Sequence, residues 1–266
     1  MKTTHGLSLA LLNALWVISA PAQADTDAAW HFDLDAGLSR EHYANGTLET
    51  AEVHLAPSVS LGDFDVYADV PYYGKKADFS GAVNLFNRKG LLRRTITASR
   101  GVDYDGMGDI TAGVDYTLPL PDDRVLVVAG ASYKSDNGDQ KQLLGSGTRD
   151  TTATLDGKYL WRVLDIKGGV GHVRSSASKA QGGTQSYTFW SAGLAAHAGD
   201  AVTLGVDWSD QQTVAGAKTD NAAVDFSVKW SVSRMLVLNA GYRHFQSGGT
   251  RGQPDHSLSA GATWSL

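Results

Sequence analysis

Strict alternation of apolar and polar residues dominates the chain. From residue 109 to 118, every even position is apolar and every odd position is small or polar. The same pattern recurs over 202–209, 224–231 and 258–266. Successive side chains of a β-strand point to opposite faces, so each segment is predicted to be a strand with one apolar face. No segment of comparable length keeps the 3.6-residue period of an amphipathic helix.

Such runs predict twelve strands, mostly of about ten or more residues, the length that a tilted strand needs to cross a bilayer. The predicted strands lie at about 29–40, 48–61, 64–73, 109–119, 125–135, 151–162, 165–175, 187–197, 201–212, 222–232, 234–246 and 256–266. We therefore predict an all-β fold, a transmembrane up-and-down antiparallel β-barrel of about 12 strands.

The predicted connections alternate between short and long. Tight turns are expected at Gly62-Asp63, Pro121-Asp122-Asp123, Val163-Leu164, Gly199-Asp200 and Ser233. Longer connections are expected around 41–47, 74–108, 136–150, 176–186, 213–221 and 247–255. Short periplasmic turns and longer outer loops are typical of outer-membrane barrels, and an even number of strands places both termini in the periplasm.

Aromatic residues provide an independent test. If the odd-numbered strands run outward, ten aromatic residues of the apolar face fall near strand ends, at the two membrane interfaces. The outer group is Tyr72, Tyr133, Trp190, Trp208 and Tyr242. The periplasmic group is Trp30, Tyr116, Trp161, Trp230 and Trp264. A general preference of aromatics for strands would not sort them to strand ends, so two girdles are predicted.

The first 24 residues are predicted to be a cleaved signal peptide. Lys2 precedes an apolar stretch from about residue 7 to 20, and Ala22-Gln23-Ala24 forms the A-x-A cleavage pattern. The alternative, a membrane anchor, needs a longer apolar helix. The remaining chain, 25–266, is predicted to be one barrel domain, exported to the outer membrane of a Gram-negative bacterium.

Composition excludes several kinds of site. The chain has no cysteine, which rules out disulfides, thiolate metal sites and a cysteine nucleophile. Its 23 Lys and Arg against 28 Asp and Glu do not suggest nucleic-acid binding. No cofactor or metal is predicted. The expected partners are outer-membrane lipids, lipopolysaccharide, an unidentified small solute and the barrel assembly machinery, which would recognise the terminal strand with its Trp264.

The polar face of the strands is predicted to line the barrel interior. Its candidate pore-lining residues are Asp33, Asp35, Glu52, Asp65, Asp69, Asp115, Asp156, Lys158, Arg162, Lys167, Asp207, Lys229 and Arg243. A barrel of this size can hold a narrow aqueous path or a filled interior. These residues therefore either form a charged solute pathway or a network of internal ion pairs.

The longest predicted loop, 74–108, is strongly basic. Its candidate mouth residues are Lys75, Lys76, Arg88, Lys89, Arg93, Arg94 and Arg100. It is expected to contain a small hairpin, with 82–86 and 91–97 flanking 87–90. One hypothesis is a loop at the barrel mouth that attracts anionic solutes. The other is an outer loop that binds phosphates of lipopolysaccharide.

A motif around this loop resembles a known family. Asp69-Val70-Pro71-Tyr72 ends one predicted strand, and Gly106-Met107-Gly108-Asp109-Ile110 opens the next. This arrangement, over about fifty residues, is similar to the outer-membrane transporter family named for the MetA pathway of phenol degradation. The resemblance implies a barrel that moves small, often hydrophobic solutes. The motif also has a structural explanation, because the glycines permit a tight turn in which Asp109 can bond backbone amides.

A barrel of this size could be an enzyme instead of a channel. Some barrels of this size are lipid hydrolases, which need a serine beside a histidine that a third group orients. Histidines with a serine not far along the chain are His54 with Ser58, His172 with Ser175, and His197 with Ser191. None forms a recognisable motif, so no enzyme is predicted. The predicted function is a channel or transporter-like barrel for small solutes, and the alternative is a structural or surface-interaction barrel without transport.

Overall fold

The computed structural model of the protein describes residues 28–79, 81–86, 92–98, 102–138, 144–176, 184–211, 222–246 and 254–266. The predicted signal peptide lies outside these residues, so its cleavage stays a prediction. In the described part of the chain, no helix is long and apolar enough to cross a membrane.

Fifteen β-strands account for the regular structure of the described residues. They are β1 (Ala28–Tyr43), β2 (Gly46–Leu61), β3 (Phe64–Phe79), β4 (Gly81–Phe86), β5 (Leu92–Ala98), β6 (Val102–Met107), β7 (Thr111–Thr117), β8 (Val125–Lys134), β9 (Arg149–Trp161), β10 (Leu164–Ser176), β11 (Thr184–Ala198), β12 (Val202–Gln211), β13 (Ala223–Ser231), β14 (Leu236–Phe245) and β15 (His256–Ser265).

Thirteen of these strands form one closed antiparallel sheet. β1 pairs with both β2 and β15, which closes the barrel. β6 and β7 share one position, because β3 pairs with β6 along residues 72–77 and with β7 along residues 64–69. The barrel therefore has twelve strand positions, and the predicted up-and-down β-barrel is confirmed.

The outward face of the barrel is apolar and open to its surroundings. Leu155, Leu194 and Phe226, which lie in the middle of three strands, are each 49% exposed. A continuous apolar surface of this kind is unfavourable in water and is typical of contact with lipid. The pairing of neighbouring strands shows that all ten predicted girdle aromatics lie on this outward face.

The predicted boundaries of two loops are wrong, at the end of β1, the start of β2 and the end of β3. The expected outer loop 41–47 is a two-residue turn, because β1 runs to Tyr43 and β2 starts at Gly46. β3 extends to Phe79, so Lys75 and Lys76 lie on a strand and not in a loop. The physical reason is that the strands continue beyond the membrane, where both faces contact water and the alternation of apolar and polar residues disappears.

A separate hairpin follows β3. β4 and β5 pair from Gly81 with Ala98 to Phe86 with Leu92, so the predicted small hairpin in loop 74–108 is confirmed. Arg93 and Arg94 lie on β5. The other predicted mouth residues of this segment, Arg88, Lys89 and Arg100, lie outside the described residues.

The shared strand position contains a one-residue irregularity. Met107 lies opposite Tyr72, and Ala112 lies opposite Ala68, so both are on the outward face. In a regular strand, two residues five positions apart would lie on opposite faces. Gly106, just before the irregularity, has a φ of 149°, a region that favours glycine. The ladder with β3 is interrupted over residues 108–110, and Asn137 and Gly138, which follow β8, form hydrogen bonds with this stretch.

Candidate functional site

Twelve of the thirteen predicted pore-lining residues have inward parity. They are Asp33, Asp35, Glu52, Asp65, Asp69, Asp115, Asp156, Lys158, Lys167, Asp207, Lys229 and Arg243. Arg162 does not, because it lies in the turn between β9 and β10 with a φ of 55°. The turn therefore falls at Arg162-Val163, one residue before its predicted position. Lys75 has inward parity. Lys76 has outward parity and lies opposite Glu49 on one side and Asp103 on the other.

Most basic groups of the interior are bound to carboxylates. Lys167 Nζ lies 2.8 Å from Asp207 Oδ1. The Arg243 guanidinium donates to both oxygens of Asp225, at 2.5 and 2.7 Å. Such two-point contacts are the strongest form of arginine–carboxylate pair.

Two of these carboxylates were missing from the predicted set. Asp225 has inward parity, so the alternation pattern alone could have identified it. Asp165, at the start of β10, lies 2.8 Å from Lys158 Nζ and 2.9 Å from His197 Nε2. The sequence did not identify Asp165 because it directly follows the turn, where the face of a residue is hard to assign from sequence.

His54 on β2 contacts two acids, Glu52 on the same strand and Asp69 on β3. Its Nδ1 lies 2.8 Å from Asp69 Oδ1, and its Nε2 lies 3.6 Å from Glu52 Oε2. Asp35 accepts a hydrogen bond from the Thr263 hydroxyl. Among the described residues, the interior along β1–β3 therefore has many carboxylates and few cationic groups.

Four inward carboxylates, Asp33, Asp65, Asp115 and Asp156, form what we call the acidic patch. Within the described residues, none of them makes an ion pair. Asp65 lies directly opposite Asp115 across β3 and β7 and accepts a hydrogen bond from Ser60. No cationic group of the described residues therefore compensates the patch.

Glycines let large inward side chains lie against the wall. A Cβ added at Gly169 would come within 2.1 Å of Asp156 Oδ1, and one at Gly171 within 2.1 Å of the Phe189 ring. Each side chain therefore occupies the space above a neighbouring glycine. This arrangement keeps bulky groups away from the barrel axis.

Gly171→Ala is expected to reduce the conductance of the barrel in planar bilayers. The new methyl group cannot coexist with the Phe189 ring, so the ring must swing toward the axis, at a cost of about 1–3 kcal/mol in stability. Gly157→Ala is the control for a glycine substitution as such, because its Cβ has outward parity and would meet nothing closer than 3.9 Å. Equal conductance of the two variants would contradict the expectation.

A buried polar cluster lies beside β7. Lys134 Nζ lies 3.2 Å from both Asp109 Oδ2 and Asp150 Oδ2, and these two acids are 6% and 1% exposed. Asp109 also accepts from the backbone amides of Gly138, at 2.9 Å, and Ser146, at 2.6 Å. The predicted bonding of Asp109 to backbone amides is thus correct, but the amides belong to the β8–β9 connection and not to its own turn.

The histidines and serines weighed for catalysis contact other groups. His197 Nδ1 lies 3.1 Å from Thr203 Oγ1, and His172 Nδ1 lies 3.2 Å from Thr188 Oγ1. Ser175 donates to Asp150 at 2.5 Å. Across the residues described, no group of three or more His, Asp or Glu is arranged to hold a metal ion.

Solved structures resemble the fold at low sequence identity. The NanC porin superimposes with a TM-score of 0.54 at 12% identity, covering 88% of this chain and 100% of the porin. The COG4313 outer membrane channel from Pseudomonas putida F1 superimposes with a TM-score of 0.61 at 11% identity, covering 93% and 100%. No protein-family model and no curated protein sequence matches the chain, so the resemblance to the MetA-pathway family stays a prediction. The fold is that of an outer-membrane β-barrel.

Proposed function

We propose that the protein is an outer-membrane channel for small solutes that favours cations over anions. The observation that carries this proposal is the acidic patch, whose carboxylates make no ion pair with any described residue. Uncompensated carboxylates in a low-dielectric wall create a negative potential, which raises the local concentration of cations. The similar structures are themselves named as a porin and a channel, which supports the same class of function.

The pairing of the basic residues supports the sign of this preference. Lys158, Lys167 and Arg243 are each held by a carboxylate, so they contribute little net positive potential. These three ion pairs lie on β9–β14 and leave the acidic patch unpaired, which supports a charged solute pathway beside a network of internal ion pairs.

Neutralising the acidic patch tests the proposal. In a planar bilayer with a salt gradient, the reversal potential of the wild type is expected to show preference for K⁺ over Cl⁻. The triple variant Asp65→Asn, Asp115→Asn and Asp156→Asn is expected to lower the permeability ratio about threefold, since each charge that faces solvent contributes only a fraction of a kcal/mol. Preference of the wild type for Cl⁻ would refute the proposal.

The control removes a carboxylate outside the interior. Asp122 lies in the exposed turn between β7 and β8, where Arg124 donates to both its oxygens, at 3.0 and 2.9 Å. These hydrogen bonds hold the pKa of the Asp122 carboxyl below its usual range, so it is charged at neutral pH. Asp122→Asn should leave the reversal potential unchanged. A folded barrel that is silent in bilayers would favour the structural or surface-interaction alternative.

A further inference from the structure

We propose that the inner wall between β2 and β13 holds a binding site for zwitterions, which are solutes carrying one ammonium and one carboxylate, such as amino acids and short peptides. The proposal rests on the channel function proposed above and names the solute class of that channel. Its basis is a cavity of about 340 Å³ that is lined by groups of both charges. Asp35, Glu52 and His54 line it from β1 and β2, and Asp225, Lys229 and Arg243 line it from β13 and β14.

One cross-strand row fixes the geometry of this cavity. Lys229 pairs with Asn239, Asn239 with Gly261, Gly261 with Gly37, and Gly37 with Glu52. The two charged residues are therefore four strand spacings apart, about 19 Å along the wall. Asn239 and two glycines lie between them, so the Asn239 amide is the side chain of the row that stands between the two charges.

The glycines form the floor of the site, which we call the glycine trough (Gly37 and Gly261). A Cβ at Gly37 would lie 3.3 Å from Glu52 Oε1, and one at Gly261 would lie 3.1 Å from Asn239 Oδ1. Glu52 and Asn239 therefore lean over the trough from opposite sides. Their polar atoms border the space in which a small solute would lie.

The charges at the two ends differ in their availability. Arg243, which lines the same cavity, is held by Asp225. Lys229 makes no ion pair with any residue that the structure describes, and its exposed ammonium carries three donors suited to a carboxylate. At the other end, Asp35 accepts a hydrogen bond from Thr263, and Glu52 lies 3.6 Å from His54, which lines the same cavity. A carboxylate has about four acceptor positions, so both acids can also accept from an ammonium group. The cavity thus fits a solute whose two charges point in opposite directions.

The test compares two probes of similar size in a proteoliposome swelling assay. Alanylalanine is a zwitterion, and N-acetylalanine methylamide is uncharged. The wild type is expected to admit the zwitterion faster, because a weak binding site raises the flux of the solute it holds. Lys229→Met and Glu52→Gln are each expected to lower the rate ratio of the two probes about threefold, while the uncharged probe keeps its rate.

Two further variants sharpen the comparison. Lys229→Arg should restore the preference, because it keeps the positive charge. Arg234→Met removes a cation from the exposed turn between β13 and β14 and should leave the ratio unchanged. Heat-modifiable gel mobility confirms that each variant is folded.

The outcomes separate this site from the channel function. Equal rates of the two probes in the wild type, or a ratio unaffected by Lys229→Met, would overturn the zwitterion site and leave the channel intact. A ratio that falls only in Glu52→Gln would replace it with a site for cations alone. A folded barrel that admits neither probe would overturn the channel function and this site together.

Discussion

Lys134→Met is expected to lower the free energy of unfolding by about 3–5 kcal/mol, because it removes the ammonium group that two buried carboxylates share. Asp109 and Asp150 are almost fully buried, and Lys134 is the ammonium that lies 3.2 Å from each. Methionine matches the volume of the lysine stem but supplies no charge and no donor. The loss should appear as a lower urea midpoint of the refolded barrel.

Two comparisons make this prediction specific. Arg124→Met breaks an exposed pair with Asp122, which water screens, and is expected to have a far smaller effect on the urea midpoint. The triple variant Lys134→Met, Asp109→Asn and Asp150→Asn also removes the two carboxylate charges and should recover part of the lost stability. If Lys134→Met were no more harmful than Arg124→Met, the buried cluster would not stabilise the barrel.

Leu155→Arg is expected to cost about 2–4 kcal/mol, the penalty for an arginine on the lipid face at the bilayer midplane. Leu155 lies in the middle of β9 and points outward, opposite Ala129 and Val170 on the neighbouring strands. An arginine there can reach neither interface without bending the lipid or the strand. Refolding into bilayers followed by denaturant titration measures the difference.

The adjacent position serves as the matched control for the lipid face. Thr154 has the opposite parity and faces the interior, next to Gly130 and Gly171. Thr154→Arg should therefore be tolerated with a much smaller loss of stability. An equal loss in both variants would show that the two faces of β9 do not differ in environment, which would contradict the membrane-facing assignment.

Alternation predicted the membrane-spanning part of the barrel well. Twelve strands, their faces and four of the five tight turns follow from residues that must satisfy lipid on one side and water on the other. The parts that were missed lie where this constraint is absent. The continuation of β3 past Tyr73 and the strand β6 have polar residues on both faces, for example Lys75 and Lys76. Their strand structure depends on pairing with each other, which a single sequence does not display.

The candidate site was only partly accessible from sequence. Parity placed acids such as Asp115 and Asp156 on the inner face, but parity cannot say which carboxylates find a cation. Partner choice depends on which strands become neighbours and in which register. Lys167, for example, reaches Asp207 across β11 because Gly193 stands between them. The distinction between a paired wall and an acidic patch therefore emerges only in three dimensions.

Closure of the barrel has a kinetic consequence. β1 and β15 pair from Asp33 with Ser265 to His42 with His256, so the contact joins the two most distant strands of the sequence. Such non-local pairing carries a large loop-closure entropy and slows folding. Until β15 arrives, the edges of β1 and β14 expose unpaired amides and carbonyls, which a bilayer does not tolerate. Shortening β15 should therefore slow assembly and promote aggregation far more than an equal deletion in an outer loop.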